Sequence, residues 1–250
     1  MHATGRLGSH LLPLLGTAMF LALAGAALGC SNDNSSSPNT NSFYGTYTDP
    51  SGVPGTITLT GVAPAMAVGL LGTGASTPLT GSLNLPGQLP IDLSGLYFTE
   101  TGALSFSSDG DAYTFNAQVT GASAPGTSTG PNGPGAFVLF TGGSAATVAI
   151  FCGNAVCTAP AGCEATAGFN LAVSGSTAAL TVFANGTVVP AVGTRIGDNV
   201  SFHIVGKGTD ITVSGVINGS LVGGTWLDNL EGASGTWHGS TGACLGAPVS

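Results

Sequence analysis

The sequence has very few charged residues, which make up 6% of its 250 positions, and Lys and Arg together number three. Proteins that bind nucleic acid neutralise phosphates with clusters of Lys and Arg, so this composition excludes nucleic acid as a partner. The low charge does not indicate disorder, because 43% of the residues are hydrophobic. The part of the chain after residue 42 has about 200 residues, which is long enough to bury a core at this apolar content.

The chain after residue 42 also lacks a helical stripe of apolar residues with capping residues at its ends. It has no EF-hand or nonapeptide spacing, so the acidic residues Asp109 and Asp111 indicate an ordinary hairpin turn rather than a calcium site. We expect no catalytic set, no cofactor and no metal.

The N-terminus differs from the rest of the chain. Arg6 precedes an apolar run over residues 11–28, which ends in small residues before Cys30. This order predicts a signal peptide over residues 1–29.

Residues 27–30, Ala-Leu-Gly-Cys, resemble the lipobox of bacterial lipoproteins. The resemblance implies cleavage before Cys30 and attachment of acyl chains to that cysteine, and hence a membrane as partner. Ser31 directly after the cysteine implies the outer membrane of a Gram-negative envelope.

Two further features favour a lipidated Cys30. Five cysteines are an odd number for an oxidising compartment, and lipidation of one leaves four to pair. Residues 30–42 then predict a flexible tether, because the segment from Ser31 to Ser42 has almost nothing to bury. The chain after the signal peptide has two basic and eleven acidic side chains, a net charge of −9.

The main pattern in residues 43–250 is alternation of apolar and polar residues, which is typical of antiparallel sheets with one exposed face. Turn dipeptides such as Asn185-Gly186 and Asn218-Gly219 lie between the alternating segments. The clearest segments are residues 56–60, 113–119, 169–173 and 199–204.

We predict an all-β fold, an antiparallel meander that closes into a barrel or forms a two-layer sandwich. Its Gly-Thr-Trp hairpins are loosely similar to small calycin-type barrels. Residues 45–57 resemble residues 224–237, and residues 111–115 resemble 198–202. These similarities indicate either an internal duplication, with halves 43–142 and 143–250, or reuse of one turn. A Gly- and Pro-rich loop is expected over residues 121–135.

The four cysteines Cys152, Cys157, Cys163 and Cys244 are candidates for disulfides. Three lie close together and the fourth lies near the C-terminus, so at least one disulfide should join the chain end to its middle. A zinc site would need tighter paired spacing.

A second set of residues is a candidate binding site. Trp226 and Trp237 flank Asp228 and Glu231, with His238 beside the second tryptophan. Aromatic faces together with carboxylates are a common way for β-proteins to hold sugars. The alternative is that both tryptophans fill the core.

Catalytic interpretations have less support. Residues 126–130 match the G-x-S-x-G pattern around Ser128, but no helix follows, as that motif requires. His203 lies on the polar face of a predicted strand flanked by Asp198 and Asp210, with no evident nucleophile.

We therefore predict an exported, lipid-anchored envelope protein with a non-enzymatic domain that binds a small molecule, a glycan or a protein. The alternatives are a purely structural envelope component and, third, an envelope hydrolase.

Overall fold

The computed structural model describes residues 40–62, 76–160, 163, 166–206, 208–241 and 244. The predicted signal peptide, Cys30 and most of the predicted tether lie outside the described residues. The described chain is all-β and forms two closed antiparallel barrels of eight strands each. The predicted fold class is confirmed, in its barrel form.

The first barrel is an up-and-down meander whose last strand pairs with its first. It begins at Thr40, three residues before the predicted start of the domain. Its strands are β1 (Thr40–Thr48), β2 (Pro54–Val62), β3 (Ser76–Asn84), β4 (Ile91–Phe98), β5 (Ala103–Ser108), β6 (Thr114–Gln118), β7 (Ser123–Gly130) and β8 (Gly133–Thr141).

The second barrel repeats this connectivity and closes between β9 and β16. Its strands are β9 (Ala149–Ala159), β10 (Thr166–Ser174), β11 (Thr177–Ala184), β12 (Thr187–Ile196), β13 (Asn199–Gly206), β14 (Thr209–Asn218), β15 (Leu221–Asp228) and β16 (Ser234–Ser240). Asp109–Asp111 form a short 3-10 turn. Within the described ranges, no helix is long and apolar enough to cross a membrane.

Side chains fill the interiors of both barrels. On β2, Ile57 and Leu59 point inward and are fully buried, as the alternation of residues 56–60 predicts. In the first barrel, Phe106 and Phe115 stack with their ring centroids 4.7 Å apart. In the second, Phe169 meets Trp237 edge to face at 5.3 Å. The two barrels therefore have separate aromatic cores.

The barrels pack side by side through strands that are buried on both faces. On β8, Phe137 and Leu139 point into the first barrel, whereas Val138 and Phe140 point towards the second. Ala172 on β10 belongs to the same cluster between the barrels. A strand buried on both faces has a continuous apolar run, and residues 136–140 of β8 form one.

One of the alternating segments is therefore not half-exposed. Residues 169–173 were expected to have a solvent face, but Asn170 and Ala172 are 1% and 0% exposed, because the first barrel covers them. The Asn170 side chain donates a hydrogen bond of 2.5 Å to Thr48, whose hydroxyl also bonds that of Thr181 at 2.8 Å. These contacts give the buried polar atoms partners across the interface.

The expected loop over residues 121–135 is a hairpin instead. Its Gly, Ser and Thr residues form most of β7 and the start of β8, joined by a tight turn at Pro131 and Asn132. Small residues fit here because Gly126 lies against the ring of Phe137. The composition indicated a loop, but packing inside a narrow barrel favours the same residues in strands.

The two barrels agree in strand number and connectivity, which is consistent with a duplication. The repeated hairpin, however, joins the first and second strands of the first barrel but the seventh and eighth of the second. In both copies an aromatic residue lies directly opposite a glycine, Tyr47 opposite Gly55 and Trp226 opposite Gly235. The sequence repeat therefore marks one type of hairpin at non-equivalent positions.

The barrels also share a common orientation. Gly52, in the turn after β1, lies against the ring of Phe183 near the end of β11. Because strands alternate in direction, the turns after β1, β3, β5 and β7 lie on the same side as those after β9, β11, β13 and β15. We call this side the turn end. The opposite side, where β1 starts and β16 finishes, is the terminal end.

Glycines allow neighbouring strands to approach closely. A Cβ atom added to Gly81 on β3 would lie 1.8 Å from the carbonyl oxygen of Thr58, and one on Gly224 would lie 1.9 Å from that of Ser214. Both obstacles are backbone atoms, which cannot rotate away. Such glycines mark the tight bends that a small closed barrel needs.

We predict that Gly81→Ala destabilises the protein by about 3 kcal/mol, because β2 and β3 would have to separate. Urea unfolding followed by circular dichroism measures the change. Gly206→Ala is the matched control, since its Cβ would meet nothing closer than 3.9 Å and its stability should stay near wild type. Equal stability of the two variants would contradict this role of Gly81.

Candidate functional site

All four candidate cysteines form disulfides, Cys152 with Cys244 and Cys157 with Cys163. The predicted link between the C-terminus and the middle of the chain is confirmed. The cysteines of the first pair are 92 residues apart, a loop that stabilises the fold by on the order of 4.5 kcal/mol in the chain-entropy model. The described residues contain no group of three side chains that could hold a metal ion.

Trp237 lies in the core of the second barrel and is 4% exposed. Its indole N–H donates to the backbone oxygens of Ser214, at 3.1 Å, and Thr225, at 3.3 Å. Its ring occupies the space beside Gly215, where an added Cβ would lie 2.3 Å from it. This tryptophan packs the interior and presents no face to a ligand.

Trp226 is only partly buried. It points across the hairpin over Gly235, and its indole N–H donates to the carbonyl oxygen of Val156 on β9 at 3.3 Å. The ring thus bridges three strands near the turn end of the second barrel. Trp226 also borders an open surface groove, although its side chain lies on the inner face of β15 against the core of the second barrel.

The acidic residues between the tryptophans shape the turn. One carboxylate oxygen of Asp228 accepts hydrogen bonds from the backbone N–H groups of Leu230, at 2.9 Å, and Glu231, at 3.3 Å. Asp228 is 9% exposed, whereas Glu231 is exposed. His238 is exposed on the outer face of β16. The five candidate residues therefore point in different directions, and of these only Trp226 lines the groove.

The groove is an open depression of about 530 Å³ on the outer face of the second barrel. It crosses β14, β15, β16 and the end of β9, towards the turn end. Its lining is rich in hydroxyl groups and contains no charged side chain: Thr158, Thr212, Ser214, Thr225, Trp226, Leu227, Ser234, Gly235 and Thr236.

The groove is part of a longer row of hydroxyl groups that crosses five strands. Strand register places Thr194 opposite Ser201, Ser201 opposite Ser214, Ser214 opposite Thr225, and Thr225 opposite Thr236. The hydroxyl oxygens of the first pair are 3.0 Å apart, and those of Ser214 and Thr225 are 3.4 Å apart. Neighbouring strands lie about 4.8 Å apart, which fixes the spacing of the row.

Sequence reasoning missed the groove. Each of its Thr and Ser residues is an ordinary polar position of an alternating strand, and only the register brings them together. The signal available was the absence of charge from these positions. The candidate residues chosen for their type behave differently. Asp228 stabilises the turn between β15 and β16, and Trp237 packs the core.

Ser128 lies on β7, points into the first barrel and is 4% exposed. It is close to Tyr47, whose pKa is raised by burial and by the nearby charge of Asp49. The described histidines, His203 and His238, both lie on the second barrel. Among the described residues, Ser128 therefore has no histidine beside it, and its burial separates it from solvent.

A polar cluster surrounds Asp210 at the turn end of the second barrel. Its Oδ1 atom accepts hydrogen bonds of 2.8 Å from Asn229 and lies 2.8 Å from Nε2 of His203. These contacts, that of Asn229 first, lower the pKa of Asp210. His203 is exposed and makes its contact with a carboxylate rather than with a nucleophile. Asp198 lies at the opposite end, beside Arg195.

A scan against protein-family models finds no match for this chain, and searches of curated proteins and of solved structures find none either. The function must therefore be inferred from the geometry of the chain's own residues.

We predict that Asn229→Ala raises the pKa of Asp210 towards its ordinary value, because the carboxylate loses its largest stabilising contact. A carboxyl group whose pKa is lower in the folded than in the unfolded protein stabilises the fold at pH values above its unfolded pKa, near 4. This contribution is lost as the pH falls through the pKa of the folded state. Carbon-13 NMR titration of the carboxyl measures the shift. Asn154→Ala, an exposed asparagine on β9, should leave it unchanged, and an unshifted Asp210 in Asn229→Ala would contradict the assignment.

Proposed function

We propose that this chain is an exported lipoprotein, held in the cell envelope through Cys30, with a non-enzymatic binding domain. The two disulfides support export, because stable disulfides belong to oxidising compartments. They pair four of the five cysteines and leave Cys30, directly after the signal-like segment, for acylation. Ser31 favours the outer membrane as the final location.

The ligand we propose is an uncharged glycan, bound on the outer face of the second barrel. The observation that carries this proposal is the groove beside Trp226, whose polar lining consists of hydroxyl groups without charged side chains. A hydroxyl group both donates and accepts hydrogen bonds, so a row of them complements the hydroxyl groups of a sugar. The absence of charge from the lining favours a neutral ligand over an acidic one.

The barrel interiors do not support a ligand held inside either barrel. Side chains such as Phe115 and Phe137 in the first barrel, and Phe169 and Trp237 in the second, occupy the space along the axis. The filled interiors equally favour a second candidate function, a structural envelope component without a ligand. The two functions differ in whether the groove binds anything.

We predict that the mature protein extracted from membranes begins at Cys30 and carries acyl chains, with no thiol that alkylates before reduction. Intact-mass spectrometry before and after alkylation tests both parts. The expected mass includes two disulfides, because the sulfur atoms of all four remaining cysteines are paired. A mass without acyl chains would overturn the lipid anchor, and an alkylated species would contradict the disulfides.

We predict that the double variant Thr225→Val and Thr236→Val weakens glycan binding about tenfold, because two hydrogen bonds are lost. A glycan array of neutral and acidic polysaccharides identifies the ligand, and calorimetry measures its affinity. The matched control is Thr60→Val with Thr80→Val, an exposed and directly opposed pair on the first barrel, which should bind normally. An array without any bound glycan would favour the structural alternative.

A further inference from the structure

The position of the first strand determines which end of the molecule lies near the anchor. β1 starts at Thr40 on the terminal end and runs towards the turn end. Ten residues separate Thr40 from Cys30, and a fully extended chain of this length spans at most about 35 Å. A lipid on Cys30 would therefore keep the start of β1 within about 35 Å of the membrane surface, which brings the terminal end within reach of the lipid.

The terminal end of the second barrel carries a group of exposed apolar side chains. Ile196, Val216 and Leu221 are 77%, 50% and 57% exposed, and we call these three residues the terminal patch. Ile196 lies opposite Asn199, which in turn lies opposite Val216 on β14. Val216 lies opposite Gly223 on β15, and Leu221 is two residues before Gly223 on the same face. The patch therefore extends over β12, β14 and β15 on one outer surface.

Charge is distributed unequally between the two ends. The exposed or half-exposed acidic residues at the turn end are Asp92, Asp109, Asp111, Asp210 and Glu231. At the terminal end the described acidic residues are Glu100 and Asp198, and Asp198 lies 3.7 Å from the Arg195 guanidinium. An anionic lipid surface would repel the turn end and tolerate the terminal end.

Two of the exposed apolar residues at the turn end, Val205 and Leu230, have charged neighbours. Val205 lies opposite Asp210, and Leu230 precedes Glu231 in the chain. The terminal patch has Asn199, Gly223 and the paired Arg195 and Asp198 around it instead. It is the more favourable of the two surfaces for contact with lipid.

We infer that the terminal patch docks on the lipid surface that holds Cys30, so that the turn end points away from the membrane, and the groove, on the same outer face but nearer the turn end, lies above the patch. The inference depends on the proposed lipid anchor. Apolar side chains at the headgroup boundary add to the affinity of a single anchoring group, and tethering keeps the patch close to that boundary. The protein would then stand on its terminal end, with the groove on its side, further from the membrane than the patch.

Site-specific fluorescence tests the orientation with the full mature chain. Leu221→Cys in the patch and Leu89→Cys at the turn end, which is 86% exposed, each receive an environment-sensitive fluorophore. The lipidated proteins are reconstituted into vesicles of phosphatidylcholine and phosphatidylglycerol that contain a headgroup-linked quencher lipid. We expect several-fold stronger quenching at position 221 than at position 89.

Equal quenching at the two positions, or stronger quenching at position 89, would overturn the docking proposal. A second copy of the chain on the patch would also overturn the docking proposal. In that case the label at position 221 would be shielded from a soluble quencher only at high protein concentration, and the quencher lipid would not quench it. Flotation of the same preparation with the vesicles tests the anchor separately. Failure to float refutes the anchor, whereas flotation without quenching at position 221 refutes only the docking.

The variant with Ile196→Ser, Val216→Ser and Leu221→Ser tests the patch itself. With the fluorophore moved to Asn199→Cys between the altered positions, lipid quenching should fall several-fold relative to the same label on the unaltered patch, while flotation persists. Undiminished quenching would show that the patch does not hold the barrel at the membrane. Circular dichroism confirms that the variant is folded, since all three side chains are exposed in the native protein.

Discussion

Closure of each sheet on itself is the constraint on which the rest of the structure depends. An open sheet exposes a row of unpaired backbone groups at each edge, and natural proteins guard such edges with charged side chains. This chain has few charged side chains. Pairing of β1 with β8 and of β9 with β16 removes the sheet edges instead. An eight-stranded barrel is narrow, so close approaches at residues such as Gly81 and Gly224 accompany closure, and the interior holds only side chains. Any ligand must therefore bind outside, where the strands present Thr and Ser rather than charge.

The second level of organisation is the contact between the barrels. Strands β8 and β10 have no solvent face over most of their length, and each contributes to two cores at once. The buried side chains of Thr48, Asn170 and Thr181 form hydrogen bonds with one another across this region. A misaligned interface would leave these groups without partners, so the contacts favour one alignment of the barrels over others. This alignment brings the turn ends together and gives the molecule two chemically different sides.

Much of this architecture can be predicted from the sequence. Alternation in segments such as 56–60, together with Asn-Gly turns, predicts an antiparallel meander, and cysteine parity predicts the disulfides. The sequence of a single strand does not show what packs on its outer face. For this reason residues 169–173 look half-exposed, although the first barrel covers Asn170. The hairpin of β7 and β8 resembles a loop because small residues serve both turns and tight barrels. The groove cannot be seen in the sequence for a related reason: Ser214, Thr225 and Thr236 are ordinary polar positions on three consecutive strands, and only the register aligns them.

The disulfide between Cys152 and Cys244 joins β9 to the segment after β16, at the seam where the second barrel closes. The seam of the first barrel, between β1 and β8, has hydrogen bonds alone. If tension acts between a membrane-held N-terminus and a ligand bound to the second barrel, it pulls first on β1, the strand next to the tether. Peeling of β1 breaks its hydrogen bonds to β2 and β8, whereas the covalent seam keeps the second barrel closed. Under such a load the first barrel would thus unravel and lengthen the chain before the disulfide-closed second barrel opens.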